Sequence, residues 1–228
     1  MNDGDDGALD SAGAYPSAAA LVSRLALRAA HDLNNLIAVI SGHVYLLRAS
    51  AERPGSTESL DAMETAVAGL ERLSRSLSAV GTAHGPAGAV DLGALARGVA
   101  AEPGAPAAEV EIEDRLPSVA GSVEGLRAAL RALVANASAA APGAPVRIAA
   151  RRDGSDGVVL SVEDRGAGVA PEAGARAFDP LYSTRNGGRG TGIGLFVAAA
   201  VAAAHETSCV LRPRAGGGTV ASMRLRIA

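Results

Sequence analysis

The sequence has no lysine and no tryptophan, one cysteine and only 2% aromatic residues, so all 21 of its basic residues are arginine. Its net charge is −3. A nucleic-acid surface needs clustered positive charge and stacking side chains, and we therefore expect no contact with nucleic acid. The single Cys209 excludes an intramolecular disulfide and a metal site built from cysteines, and it favours a buried structural role.

Long apolar runs are also missing. The longest, residues 193–204, is interrupted by Gly194 and is too short to span a bilayer. No positively charged segment with an apolar core opens the chain, so we expect a cytosolic protein. Residues 1–16 are small, acidic and glycine-rich, a composition that predicts a disordered tail.

The most regular helical pattern surrounds His31. After it, large apolar residues follow in steps of four and three, at Leu33, Ile37, Ile40, Val44 and Leu47. This is the repeat of a helix in a bundle, and it puts His31, Asp32 and Asn35 on the solvent side. An exposed histidine beside a carboxylate suits a nucleophile, but most lone surface histidines are merely solvated. The pattern alone leaves both interpretations open.

Two helices are predicted in residues 17–81, one through His31 to about Ser50 and one from Ser56 or Thr57 to about Val80. A single hairpin of this kind buries too little apolar surface to offset the entropy of ordering its backbone. Pairing two hairpins into a four-helix bundle nearly doubles that burial, so we expect a homodimer. Residues 82–88, with Pro86, predict a linker.

Residues 89–228 predict a second domain of mixed helices and strands. Helices are expected at 92–101, 123–141 and 192–204, and strands at 109–113, 146–152, 158–163, 208–211 and 219–226. The two central strands should form a hairpin around residues 153–157. This order predicts an α+β fold with a two-layer sandwich.

Four motifs in this half stand out, and each has an ordinary explanation. Asn136 lies on the 123–141 helix, and Asp164-Arg165-Gly166-Ala167-Gly168 could be a simple turn. Phe178 to Arg185 ends in an arginine that could be a surface cation. The run Gly188 to Leu195 suggests a dinucleotide fold, but it follows a loop rather than a strand and has no acidic ribose partner, so we reject that interpretation.

Taken together and in order, His31, Asn136 and these motifs resemble the catalytic core of a sensor histidine kinase, over about residues 20–228. The resemblance implies a Bergerat-type ATP-binding fold, shared with gyrase and mismatch-repair ATPases, behind the dimeric helical bundle. It also implies that His31 is the phosphoacceptor, that Asp32 takes its proton, and that Asn35 orients the γ-phosphate or a water.

The resemblance further implies a nucleotide site for ATP and Mg²⁺. Asn136 would hold the magnesium ion that bridges the phosphates, and Asp164 would accept a hydrogen bond from the adenine amine. The residues expected to approach the base or the phosphates are Gly166, Gly168, Arg185, Gly188, Gly190, Thr191, Gly192, Gly194 and Leu195.

The implied activity is ATP-dependent phosphorylation of His31, followed by transfer to an aspartate of a response-regulator receiver domain. Only a short tail precedes the first helix, so the chain would be truncated or take its input from a separate sensor protein. Ala132 stands where the family commonly has a second asparagine, which would leave the magnesium ion with fewer protein ligands. A phosphotransfer hub with a degenerate ATPase domain, or a receiver-binding scaffold, therefore stays open.

Overall fold

The computed structural model describes residues 35–47, 60–67, 70, 88–170, 174, 176–179, 182 and 192–228. Residues 35–47 (α1) and 60–67 (α2) are helical and fall inside the two helices predicted for the N-terminal part. Their packing into a hairpin and a dimer stays a prediction. The predicted tail, residues 82–87 of the linker and six predicted site residues lie outside the described residues: His31, Asp32, Arg185, Gly188, Gly190 and Thr191.

Seven strands form two sheets in the described part of the chain. The strands are β1 Gly88–Val90, β2 Ala108–Ile112, β3 Val119–Gly121, β4 Val146–Asp153, β5 Gly157–Glu163, β6 Cys209–Pro213 and β7 Thr219–Arg226. The larger sheet has the order β2-β4-β5-β7-β6, with β2 parallel to β4 and the other neighbours antiparallel. Strands β1 and β3 form a separate antiparallel pair.

Three helices accompany these strands: α3 Leu92–Ala100, α4 Val123–Ala140 and α5 Gly194–Ala204. The side chains of Asp91 and Ser122 cap the first turns of α3 and α4 by accepting backbone N–H groups. At the other end of α3, Glu102 binds Arg131 of α4 at 2.6 Å, and these hydrogen bonds hold the pKa of Glu102 below its usual value. The ion pair ties the two helices together.

The core lies between the larger sheet and the helices. Strand β7 shows the alternation that a half-covered sheet requires: Ala221, Met223 and Leu225 are buried, whereas Arg224 and Arg226 are exposed. The buried residues of α4 that join this core are Leu126, Ala129, Leu130, Leu133, Val134 and Ala137. The domain is therefore a two-layer α+β sandwich, as predicted.

Most elements agree with the sequence patterns to within two residues. The hairpin of β4 and β5 turns at residues 154–156, and Cys209 is buried in β6, both as expected. Helix α5 begins at Gly194 rather than Gly192, because Gly192 has a φ of +62° that a helix cannot contain. Strands β1 and β3 were not predicted: three residues are too few to show alternation, and each exists through its pairing with the other.

Candidate functional site

Asp164 directly follows β5 and is only 5% exposed. Its Oδ1 atom accepts the backbone N–H of Gly166 at 2.8 Å and that of Thr219 at 3.3 Å. The backbone N–H of Asp164 in turn donates to the carbonyl oxygen of Thr219 at 2.9 Å. The carboxylate is thus fixed by backbone groups from two different segments of the chain.

The other carboxylate oxygen of Asp164 is not used in this way. Among the described residues, Oδ2 accepts no hydrogen bond and no arginine forms an ion pair with the carboxylate. An ionised carboxylate has about four lone-pair sites. Asp164 therefore offers a fixed, nearly buried acceptor to a ligand that carries an N–H group.

The loop after Asp164 packs against the C-terminal end of α4. A Cβ atom placed on Gly166 would lie 2.5 Å from the carbonyl oxygen of Ala140, a distance that no side chain tolerates. Gly168 has a φ of +82°, in the left-handed region that glycine adopts most readily. The glycines of this motif are therefore required by contact and by conformation.

Helix α5 meets the same face of α4 two turns earlier. A Cβ atom on Gly194 would lie 3.2 Å from the carbonyl oxygen of Ala132. Because Ala132, Asn136 and Ala140 are spaced by four residues, they share one face of α4. Asn136, which is half-buried, therefore lies between the loop that carries Asp164 and the start of α5.

The first turn of α5 has no side-chain cap. Its N-cap residue is Ile193, which makes no capping hydrogen bond and has no polar atom with which to make one. Leu195, in this turn, is half-buried and packs on the core. Backbone N–H groups at such a helix start suit the oxygens of an anionic group.

The described site thus brings together Asn136, Asp164, Gly166 and the start of α5, while Gly168 lies on the side of the loop toward Gly218. Asn35 is described separately, as an exposed residue at the start of the helical residues 35–47. The roles expected for all of these residues, and for those outside the described ranges, stay predictions.

Three residues of this site were not predicted from the sequence: Ala140, Gly218 and Thr219. Gly218 has a φ of +101°, and a side chain there would overlap the carbonyl group of Asp164. Thr219 is 7% exposed and binds Asp164 through its backbone. The run Gly216-Gly217-Gly218-Thr219 was the available signal, because three consecutive glycines before a strand are typical of a backbone that passes close to another group.

The described part of the chain contains no group of three or more His, Cys, Asp or Glu residues that could hold a metal ion. An Asn136 oxygen alone suits Mg²⁺ only if phosphate oxygens and waters supply the other ligands, which is how this ion is usually bound beside nucleotides. The residues fit a magnesium ion that arrives with a polyphosphate.

No helix in the described residues combines the length and the apolar character needed to cross a membrane. Residues 121–228 match the family model described as the histidine kinase-, DNA gyrase B- and HSP90-like ATPase. This range begins at Gly121 and includes Asn136, Asp164 and α5.

Curated relatives include a sensor-like histidine kinase and a sensor protein. The sensor-like histidine kinase SenX3 of Mycobacterium tuberculosis is 33% identical over 126 residues, which is 52% of this chain and 30% of that protein. The C4-dicarboxylate transport sensor protein DctS of Rhodobacter capsulatus is 39% identical over 70 residues, 31% of this chain and 10% of that protein. The matched region therefore spans less than a third of these relatives.

Solved structures share the fold. Histidine kinase AdeS of Acinetobacter baumannii superimposes with a TM-score of 0.59 at 19% identity, covering 87% of this chain and 97% of that one. Full-length ShkA in complex with AMPPNP gives 0.58 at 22% identity, covering 90% of this chain and 46% of that one. Residues 121–228 therefore resemble the histidine kinase-, DNA gyrase B- and HSP90-like ATPase family, whose model they match, and the chain is similar to sensor histidine kinases.

Proposed function

We propose that this protein is an ATP-dependent histidine kinase that phosphorylates its own His31 and passes the phosphoryl group to an aspartate of a response-regulator receiver domain. The observation that carries the proposal is the carboxylate of Asp164. Its Oδ1 is held by the N–H groups of Gly166 and Thr219, and its Oδ2 has no hydrogen-bond partner among the described residues.

This arrangement suits adenine. The exocyclic amine of adenine can donate to Oδ2, whereas guanine presents a carbonyl oxygen at that position and would be repelled. A hydrogen bond to a charged group contributes about 1.5–3 kcal/mol. A site built around such a bond rejects analogues that lack the donor, because its buried polar group is then left unpaired.

Asn136 and the start of α5 are the residues that we expect to bind the phosphates of ATP. The uncapped N–H groups of α5, with the positive end of the helix dipole, favour phosphate oxygens. We assign the same role to Arg185, Gly188, Gly190, Thr191 and Gly192, which precede α5. Magnesium held by Asn136 would neutralise charge on the transferred phosphoryl group.

At the acceptor, a ring nitrogen of His31 attacks the γ-phosphorus of ATP. The N–P bond forms as the bond to the bridging oxygen breaks, ADP leaves, and Asp32 takes the proton from the imidazole. Asn35 lies one turn from His31 in the predicted helix, and its exposure in α1 supports a role in orienting the γ-phosphate. Transfer to a receiver aspartate then breaks the N–P bond.

We propose residues 17–81 as the dimerisation and phosphotransfer hairpin, residues 82–88 as the linker and residues 89–228 as the ATP-binding domain. Exposed apolar residues on α1 and α2 support a dimer: Ile37 is 47% exposed, Leu60 48% and Val67 46%. A second hairpin would cover them. Input would come from a separate sensor segment or protein, and the use of ATP favours a cytoplasmic reaction.

The rival proposal is a phosphotransfer hub that no longer binds nucleotide. Ala132, half-buried beside Gly194, is the feature in its favour. Titration calorimetry with ATP and Mg²⁺ separates the two, since the kinase binds and the hub does not. Incubation with ATP labelled in its γ-phosphate distinguishes the kinase from a receiver-binding scaffold. The kinase incorporates acid-labile, alkali-stable phosphate, and the scaffold incorporates none.

A further inference from the structure

Glu163 occupies the position directly before Asp164, and its side chain lies on the opposite face of the sheet. That side chain is 15% exposed and is bound by two arginines from different segments. Its Oε1 accepts a hydrogen bond from Nη1 of Arg147 in β4 at 2.7 Å, and its Oε2 is 3.4 Å from Nε of Arg214. Glu163 thus joins three segments at the end of β5.

Arg214 also closes the turn between β6 and β7. Its backbone N–H donates to the carbonyl oxygen of Gly218 at 3.0 Å, and its Nη1 donates to that of Gly217 at 3.2 Å. One guanidinium therefore binds the turn and Glu163 at the same time. Planar guanidinium groups suit this double role because their donors have fixed directions.

The far end of this turn touches Asp164. Gly218 lies against the carbonyl group of Asp164, and the next residue, Thr219, donates its N–H to Oδ1. Gly216, Gly217 and Gly218 all have positive φ values, of +84°, +97° and +101°. Three glycines have little conformational preference of their own, so the shape of the turn depends on the bonds made within it. Two are backbone bonds that any residue at 214 keeps, from the Arg214 N–H to Gly218 and from the Gly217 N–H to Arg214. The third is the side-chain bond from Nη1 of Arg214 to the carbonyl oxygen of Gly217.

We propose that Arg214 is a positioning residue that sets the selectivity for adenine, an inference that rests on the proposed nucleotide function. By closing the turn and holding Glu163, it fixes the N–H of Thr219 and so the direction of the Asp164 carboxylate. Without the Arg214 side chain the turn keeps its backbone bonds but loses the bond from Nη1 to Gly217 and the link to Glu163, so Oδ2 is held less firmly where an adenine amine would meet it. The start of α5 and Asn136 are unaffected, so phosphate binding is retained.

The test compares two ligands by calorimetry with Mg²⁺: ATP and the triphosphate of purine riboside, which lacks the exocyclic amine. In the unaltered protein, ATP should bind about ten- to a hundredfold more tightly. In Arg214→Ala this ratio should fall by about fivefold or more, while the affinity for the purine analogue changes by less than about twofold. Arg214→Lys, which keeps the charge but not the forked geometry, should lie between the two.

Arg224→Ala is the matched control. Arg224 is on the adjoining strand β7 and pairs with Asp153 and Asp156, each at 2.7 Å, at the opposite end of β5. Its loss should leave the ligand ratio unchanged. An unchanged ratio in both Arg214 variants, or an equal loss of affinity for both ligands, would overturn the proposal. If the unaltered protein itself fails to prefer ATP, the proposed nucleotide function fails first, and the inference with it.

Discussion

The backbone of Gly166 lies directly against the carbonyl oxygen of Ala140, at the last residue of α4. A Cβ atom at residue 166 would be 2.5 Å from that oxygen, and backbone atoms on both sides leave no flexible group to move. The same Gly166 donates its N–H to Oδ1 of Asp164 at 2.8 Å. One glycine therefore joins the helix that carries Asn136 to the carboxylate proposed to recognise adenine.

Replacing Gly166 should break the connection between α4 and the Asp164 carboxylate. In Gly166→Ala the methyl group must push the loop away from α4, which breaks the bond to Asp164 Oδ1. We expect ATP affinity to fall about tenfold or more, measured by calorimetry. Gly88→Ala is the matched control, because nothing lies within 4 Å of its Cβ position. Unaltered binding in Gly166→Ala would show that the contact with Ala140 does not support the site.

Asp164→Asn should weaken ATP binding without lowering the stability of the fold. An asparagine oxygen can still accept the N–H groups of Gly166 and Thr219, while an NH₂ group replaces the free Oδ2 acceptor. We therefore expect ATP affinity to fall about ten- to a hundredfold with little change in the free energy of unfolding. Calorimetry and denaturant titration check the two halves. Equal ATP affinity in the variant would remove the carboxylate from the proposed recognition of adenine.

His205 should be a structural residue rather than a catalytic one. Its Nε2 accepts the backbone N–H of Ser122 at 3.0 Å, and its Nδ1 lies 2.7 Å from the carbonyl oxygen of Val201. The ring packs so closely on Gly121 that a Cβ there would lie 2.5 Å from Nε2.

His205→Ala leaves the Ser122 N–H without its partner. We expect the free energy of unfolding to fall by about 1–3 kcal/mol, measured by denaturant titration. His205→Gln, whose amide oxygen can reach the same N–H, should recover part of the loss. An alanine variant as stable as the parent protein would contradict this assignment.

Cys209 should make stability depend on alkaline pH. Burial raises the pKa of its thiol from 9.0 to about 12. Because the folded-state pKa is the higher one, the contribution of the protonated thiol is fully present below pH 9.0 and is lost as the pH rises toward about 12. The difference in the free energy of unfolding between the parent protein and Cys209→Ala should shrink over this window. A difference that does not vary with pH would contradict the buried thiol.

The parts of the fold that could be predicted depend on local patterns. Strand β5 was readable from its short run of apolar residues, and α4 from its long periodic run, so the position of Asp164 after a hydrophobic strand was predictable. The partners of its carboxylate were not, because Thr219 is 55 residues away and meets Asp164 only through the pairing of β5 with β7. Ala140 has no local signal of its own, although its backbone carbonyl is what packs on Gly166.

The shortest elements show the same limit. Strands β1 and β3 have three residues each, and they are distinguished from loops by their mutual pairing and by a bridge from Val119 to Ile227. The link between Glu163 and Arg214 likewise joins positions 51 residues apart that no local pattern relates. Sequence patterns predict which residues carry the chemistry, and tertiary pairing determines which residues hold them in place.

Phosphorylation of His31 by ATP is measured most directly as the incorporation of labelled phosphate from γ-labelled ATP in the presence of Mg²⁺. The parent protein should acquire acid-labile phosphate, and His31→Gln should acquire none while still binding ATP. Asp32→Asn should label about 10²–10⁴-fold more slowly with nearly unchanged ATP affinity, because it loses only the proton acceptor. Acid-labile phosphate on the His31→Gln protein would contradict the assignment and make His43, on the same predicted helix, the next residue to replace.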